Sequence, residues 1–218
     1  MNGHLKLKPH ETKGTLITFC GLDGCGKSTM IQRLKIELES RGYKVLLTKQ
    51  PTEVMRQNQV FRTYMDSEDH SAYEYRSLAL MAAADRIQHC KHVILKALEK
   101  GQIVISDRYF YSCLANLCAR GYERDRWIYE IAKQSIPDPD LAFFLDVPVK
   151  TAVARVRKRP EEKDCYVDME LQYKLREEYR TIAKKNRGVL ISSDREEAKT
   201  YLEILNHVNK QLGGNKNE

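Results

Sequence analysis

The chain is 218 residues long, 42% hydrophobic and 31% charged, with a formal charge of +7. These values suit one soluble globular domain with a full core, and no apolar run approaches the roughly 18 residues of a membrane span, which excludes a membrane-spanning or low-complexity chain. Lys and Arg are scattered, with no block of about five or six, so small anionic substrates explain the charge and nucleic acid is not expected as a partner.

In chain order, residues 1–14 are polar and basic without the apolar stretch of a secretory signal; a disordered lead-in and a cytoplasmic location are expected. Thr15 to Cys20 is a short β-branched and apolar run that reads as a buried strand. A helix from Lys27 to Arg41 follows, with Gly42 placed to end it, and then a strand from Lys44 to Thr48. Thr52 to Asp69 mixes helix and loop. Ala72 to Lys100 has the composition of one long helix closed by Gly101. Ile103 to Ser106 is a third strand. Helical patterns over 111–120 and 125–134 lead through the turn at Pro137–Asp140 to a fourth strand, Leu141 to Leu145. A charged helix from Met169 to Lys185 precedes a fifth strand, Val189 to Ser192, and residues 213–218 read as a flexible tail. Strands alternating with helices predict a three-layer α/β/α fold in one domain over 15–212, with a five-stranded parallel sheet whose ligands bind at the carboxyl ends of the strands.

The six cysteines, Cys20, Cys25, Cys90, Cys113, Cys118 and Cys165, form no C-x-x-C pair and read as reduced thiols. His89 and His92 flank Cys90 at helical spacing, but no further ligand lies nearby, and an ordinary helix surface is the better reading.

The chemistry begins directly after the first strand. Gly21, Leu22, Asp23, Gly24, Cys25, Gly26, Lys27 and Ser28 satisfy G-x-x-x-x-G-K-[ST] between a predicted strand and a predicted helix, with Thr29 next on that helix. Glycines at these positions let backbone N–H groups turn onto phosphate oxygens, and the helix N-terminus adds positive dipole character. Lys27 is placed to reach the β- and γ-phosphates of ATP, and Ser28 to offer its hydroxyl to Mg²⁺. After the third strand, Asp107 has the position of a residue that holds Mg²⁺, usually through water, and Arg108 beside it can fork onto a phosphate. A guanine-specific GTPase would need N-K-x-D, whereas Asn209-Lys210 and Asn215-Lys216 lack the Asp.

Gly21 to Ser28, Asp107-Arg108-Tyr109 with Ser112 and Ala115, Pro139-Asp140-Leu141 before Leu145-Asp146-Val147, and Arg155 to Arg159 together resemble the thymidylate kinase family from about Thr15 to about His207. The resemblance implies a nucleoside monophosphate kinase of the P-loop fold that uses ATP with Mg²⁺, is a homodimer and acts on dTMP or a related monophosphate. It implies that Arg108 binds the acceptor phosphate, that Arg86 contacts the acceptor nucleotide and that Asp23 takes the sugar hydroxyl. Lys49, Ser112 and Asn116 complete the acceptor side. A lid over about 155–168 would bring an arginine, Arg157 or Arg159, to the transferring phosphoryl group.

Three positions leave the family pattern. Lys49-Gln50-Pro51-Thr52-Glu53 stands in place of Arg-Glu-Pro-Gly-Gly, Ala82 in place of a base-stacking Phe, and Asn116 in place of an aromatic residue, with Tyr73, Tyr75 and Met81 as the candidate substitutes. Two alternatives therefore stay open: a kinase acting on a hydroxyl, with Glu53 as the base, and an NTP-binding protein without turnover.

Overall fold

The computed structural model describes residues 3–66, 73–160 and 167–214. Five strands, β1 (Thr15–Cys20), β2 (Val45–Lys49), β3 (Ile103–Asp107), β4 (Leu141–Asp146) and β5 (Val189–Ser192), form one parallel sheet in the order β2-β3-β1-β4-β5. The central strand β1 is buried at every residue, which explains its unbroken apolar and β-branched sequence; β2 and β5, at the edges, are only partly covered. The chain passes from β1 to the edge strand β2, returns through β3, and crosses to β4 on the other side. This reversal leaves a crevice at the carboxyl end of β1, where the glycine-rich loop lies.

Ten α-helices connect and cover the strands among the described residues: α1 (Lys27–Ser40), α2 (Glu53–Gln57), α3 (Gln59–Asp66), α4 (Tyr75–His89), α5 (Leu95–Glu99), α6 (Phe110–Ala119), α7 (Trp127–Ser135), α8 (Val149–Val156), α9 (Met169–Lys185) and α10 (Glu197–Gly214). The core joins both faces of the sheet, with Phe19 and Phe143 at 5.1 Å between ring centres and Tyr111 and Phe144 at 5.4 Å. None of these helices is long and apolar enough to cross a membrane.

The structure corrects several expectations. The long helix is not uniform from Ala72: it starts at Tyr75, where the Glu74 carboxylate accepts from the Arg76 N–H, and it passes through a π-helical turn, Cys90–Ile94, before α5. That wider turn follows His89 and Cys90, adjacent residues that both contact Gln50. No element was expected over 197–214, where α10 forms. The proposed lid is a helix only through Val156; residues 161–166, with Cys165, lie outside the described residues, as does the tail beyond Gly214.

The lead-in is the clearest correction. Residues 3–14 are packed against the domain: Leu5 and Leu7 are 4% and 6% exposed, and Lys8 bridges to Pro137, its N–H donating to the Ile136 carbonyl at 2.8 Å. Burial of the two leucines, each worth about 1.5–3 kcal/mol, holds the segment together with its main-chain bonds, among them the Asp138 N–H donating to the Lys8 carbonyl at 2.7 Å. His10 completes the attachment, with Nε2 3.4 Å from the Asp140 carboxylate, which also accepts from the Leu16 N–H at 2.7 Å.

The Asp140 carboxylate raises the pKa of His10 above its ordinary 6.5, against the opposing effect of burial. A raised folded value means that this stabilisation is complete below the unfolded value and is lost as pH rises through the folded one. Thermal unfolding is therefore expected to show a downward drift in midpoint as pH rises from about 6 towards 8, and His10→Gln to remove that drift. An unchanged drift in the variant would assign it elsewhere.

Candidate active site

The loop between β1 and α1 is shaped by three glycines in left-handed backbone, at φ +138° (Gly21), +80° (Gly24) and +93° (Gly26). Two also allow close approach. A Cβ on Gly24 would lie 2.2 Å from the Ala152 carbonyl oxygen, and one on Gly21 would lie 2.5 Å from that of Leu145. The loop is thereby pressed between α8 and the end of β4, while Gly26 has open space and is needed for its backbone angle alone. The first intrahelical bond runs from Met30 to Gly26 at 3.2 Å, so the N–H groups of Lys27, Ser28 and Thr29 have no partner within α1 and open onto the loop. Lys27, 6% exposed, donates to the Gly21 and Leu22 carbonyls at 3.1 and 2.7 Å, which holds its ammonium across the mouth of the cradle. Behind the loop, Arg155 donates to the Gly24 carbonyl at 3.4 Å and to that of Ser193 at 3.1 Å.

The end of β3 supplies the second half of the site. Asp107 pairs in register with Phe19 and Lys49, and its Oδ1 is buried with no hydrogen-bond partner among the described residues. Arg108 adopts φ +66°, a conformation that costs a non-glycine residue about 1–2 kcal/mol and that marks functional positions. Its main chain is fixed on both sides, the N–H donating to the Phe19 carbonyl at 2.8 Å and the carbonyl accepting from the Ser106 hydroxyl at 2.7 Å. The guanidinium donates to Asp23 Oδ1 at 2.6 Å and to the Tyr179 hydroxyl at 3.2 Å, and Tyr179 donates to Ser112 at 3.0 Å. Arg108 in turn, with Lys27, holds the Asp23 carboxyl well below the usual carboxylate range, so Asp23 is ionised.

The donor set fits Mg²⁺: the buried, unpartnered Asp107 oxygen and the exposed Ser28 hydroxyl are hard oxygen ligands of the kind that ion takes, directly or through water. His89 and Cys90 are buried, so the reading of an ordinary helix surface does not hold for them. His89 instead spans Thr48 and Gln50, at 2.6 and 3.0 Å, and burial lowers its pKa.

Of the residues assigned to the acceptor, Asp23, Arg108 and Ser112 meet in the chain of contacts just described. Lys49 ends β2 beside Asp107. Gln50 is fully buried, and the Thr52 N–H and hydroxyl both donate to Asp85, which ties the loop after β2 to α4. Arg86 is 3% exposed and donates to the Ala82 carbonyl at 2.8 Å, and its Nε has no partner among the described residues. Asn116 donates to the Ser112 carbonyl at 2.9 Å and accepts from Arg120 at 2.8 Å. The Arg120 guanidinium lies 4.3 Å over the Tyr75 ring, in a cluster with Tyr64, Tyr73 and Tyr122 that borders a cavity of about 360 Å³. Aromatic surface absent at Ala82 is thus present two turns earlier on α4 and on α3. Arg157 and Arg159 follow α8 and are exposed; the structure does not bring either into the cradle. Glu53, the candidate base, is exposed at the start of α2 and accepts from Gln57 at 3.0 Å.

Arg56 had no assignment from sequence. On α2, it donates from Nε to the Pro51 carbonyl at 2.8 Å, and its charge is felt at Lys49 and Arg108. Only its spacing after Pro51, on a helix too short to show a pattern, could have pointed to it.

The family model described as thymidylate kinase matches residues 19–204. A probable thymidylate kinase of Pyrococcus horikoshii is 40% identical over 173 residues, 78% of this chain and 83% of that protein. One of Thermococcus kodakarensis is 37% identical over 199 residues, 88% and 96% of the two chains, and a thymidylate kinase of Bacillus cytotoxicus is 31% identical over 208, covering 92% and 99%.

The glycine geometry separates two effects of adding one methyl group. Gly24→Ala forces the loop away from α8 and is expected to destabilise the domain by about 1–3 kcal/mol and to abolish ATP binding. Gly26→Ala meets nothing and carries only the backbone penalty, about 1–2 kcal/mol. Denaturant unfolding with and without ATP checks the order, which is wrong if Gly26→Ala proves the more damaging.

Proposed function

This chain belongs to the thymidylate kinase family, and we propose on that premise that it transfers the γ-phosphoryl group of ATP to dTMP, giving dTDP and ADP. The observation that carries the reading is the contact between Asp23 and Arg108, which joins the donor's cradle to the acceptor's cationic end at the carboxyl edge of β1 and β3. A phosphate monoester is already ionised, so its oxygen forms the new P–O bond without a base to remove a proton, while the bond from the γ-phosphorus to the ADP oxygen breaks. The site must then hold several anionic groups together, which calls for fixed positive charge and N–H dipoles. Lys27 and the first N–H groups of α1 take the donor phosphates. Arg108 and Lys49 take the acceptor phosphate. Mg²⁺ with ATP would neutralise charge on the β- and γ-phosphates, with Ser28 and Asp107 as the residues that hold it. Arg157 or Arg159, carried by the segment after α8, contributes further charge at the transferring group.

On the nucleoside side, Asp23 accepts the sugar 3′-hydroxyl, and Ser112 and Asn116 line the sugar. The unpartnered Nε of buried Arg86 is a donor suited to a base carbonyl. The hydroxyl-kinase alternative is less well supported, because Gln50 is sealed against His89 and Cys90 and Glu53 is bonded to its own helix. A homodimer through the long helix follows from the same reading, and Leu80 and Val93, 46% and 38% exposed, are the apolar side chains it would cover.

A coupled ADP-release assay is expected to show Mg²⁺-dependent turnover with dTMP above other nucleoside monophosphates and none with thymidine. Lys27→Ala should lower it at least about 100-fold. Turnover with thymidine alone would establish the hydroxyl reading, and no acceptor-dependent turnover would sink both. Light scattering tests the dimer: Leu80→Glu should halve the mass of the parent species, and a monomeric parent refutes it.

A further inference from the structure

Lys49 occupies a position where the family has an arginine, so one guanidinium fork is missing from the end of β2. The structure has a guanidinium close by from another element. Gln50, next after Lys49, donates its N–H to the Asp107 carbonyl at 2.9 Å, and Pro51 follows; its carbonyl receives Arg56 Nε at 2.8 Å. Arg56 is therefore tethered to the loop that follows the junction of β2 and β3, and is half-buried. Its Nε is used by the main chain, while neither terminal nitrogen has a hydrogen bond and the side chain forms no ion pair among the described residues. Burial first, and then the charge of Arg108, lowers its pKa, and Lys49 is lowered by desolvation and by Arg56 itself.

The crowding of like charge has a simple resolution. Lys27, Lys49, Arg56 and Arg108 face the carboxylates of Asp23, Asp107 and Glu53, which leaves positive charge in excess. An excess of that sign suits the anionic end of a phosphate monoester. A fold does not gather repelling cations at a half-buried point for stability, whereas a bound anion turns each repulsion into attraction.

We propose that Arg56 is an acceptor-binding residue, whose terminal nitrogens clamp the monophosphate together with Arg108 and replace the fork lost at Lys49. The inference rests on the kinase reading above, in deepening its acceptor site. The tether to Pro51 fixes the fork in advance, so less side-chain entropy is lost when the phosphate binds. The same tether joins phosphate binding to the position of the loop after β2, which Thr52 and Asp85 attach to α4 and its Arg86.

Equilibrium binding of dTMP and of thymidine to the parent chain, Arg56→Ala and Arg56→Lys tests this without requiring turnover. Arg56→Ala should weaken dTMP about tenfold or more and leave thymidine unchanged, as loss of charge-assisted bonds to the phosphate alone requires. Arg56→Lys, which keeps charge without the fork or the tether, should fall between. A purely structural Arg56 would weaken both ligands in equal proportion, and that result, or unchanged dTMP affinity in Arg56→Ala, overturns the proposal. Failure of the kinase reading looks different: the parent would bind dTMP, with the Arg56 effect intact, yet not phosphorylate it.

Discussion

The ion pair between Asp23 and Arg108, 2.6 Å long, is the contact on which the arrangement of the site depends. Asp23 comes from the glycine-rich loop after β1 and Arg108 from the residue after β3, so the pair ties together the two loops at adjacent strand ends. Neither loop could deliver its residue alone. The parallel register of Thr15 to Phe19 with Ile103 to Asp107 brings the strand ends level, and the left-handed turn at Arg108 then points the guanidinium back across β1. The exposure of Asp23 makes the pair a weak contributor to stability, as surface ion pairs are. Its effect is positional: it fixes the Asp23 carboxylate and the Arg108 guanidinium relative to each other.

Such a site is stable without ligand only because its costs are local. Gly24 and Gly21 take up the close approach of α8 and β4, and Asp23 offsets part of the repulsion among the cations. Tyr179 of α9 accepts from one arm of Arg108 and donates to Ser112 of α6, so the guanidinium has Asp23 and Tyr179 as partners on two sides. What remains unsatisfied is informative. Asp107 Oδ1 and Arg86 Nε, like Thr18 Oγ1 and Gln50 Oε1, are buried and unpartnered among the described residues. A buried orphan costs about 1–3 kcal/mol, and ligands that supply the missing partner recover it on binding.

Sequence and structure agree where a local pattern determines the outcome. The strands are legible because a fully covered parallel strand must be continuously apolar, and the cradle because left-handed backbone and close approach both demand glycine at fixed spacing. Features that depend on tertiary contact were not. Residues 3–14 look like a lead-in because their two leucines are isolated in a polar stretch; what orders them is the surface that Pro137 and Asp140 offer, far away in sequence. The π-helical turn at Cys90–Ile94 leaves no mark in composition. Arg56 is hidden for a related reason: α2 is five residues long, and an arginine there reads as surface until Pro51 is seen to hold it.

The departures at Gln50, Ala82 and Asn116 then take on different meanings. At Gln50 the change from a family glutamate removes a charge from a place that the fold makes fully buried, where a carboxylate would need a protonated neighbour. His89, whose pKa is lowered by burial, is a poor one, and a neutral amide suits that neighbour better. Gln50 answers to that interior through Nε2, which meets His89, while its Oε1 is buried without a partner among the described residues. Ala82 and Asn116 differ from it in that neither replaces, at its own position, the aromatic residue of the family pattern. Tyr64, Tyr73, Tyr75 and Tyr122 gather beyond them around Arg120, which Asn116 holds through its carbonyl. On the proposal above, the fork missing at Lys49 is supplied by Arg56, while the aromatic ring of α4 stands at Tyr75, two helical turns before Ala82.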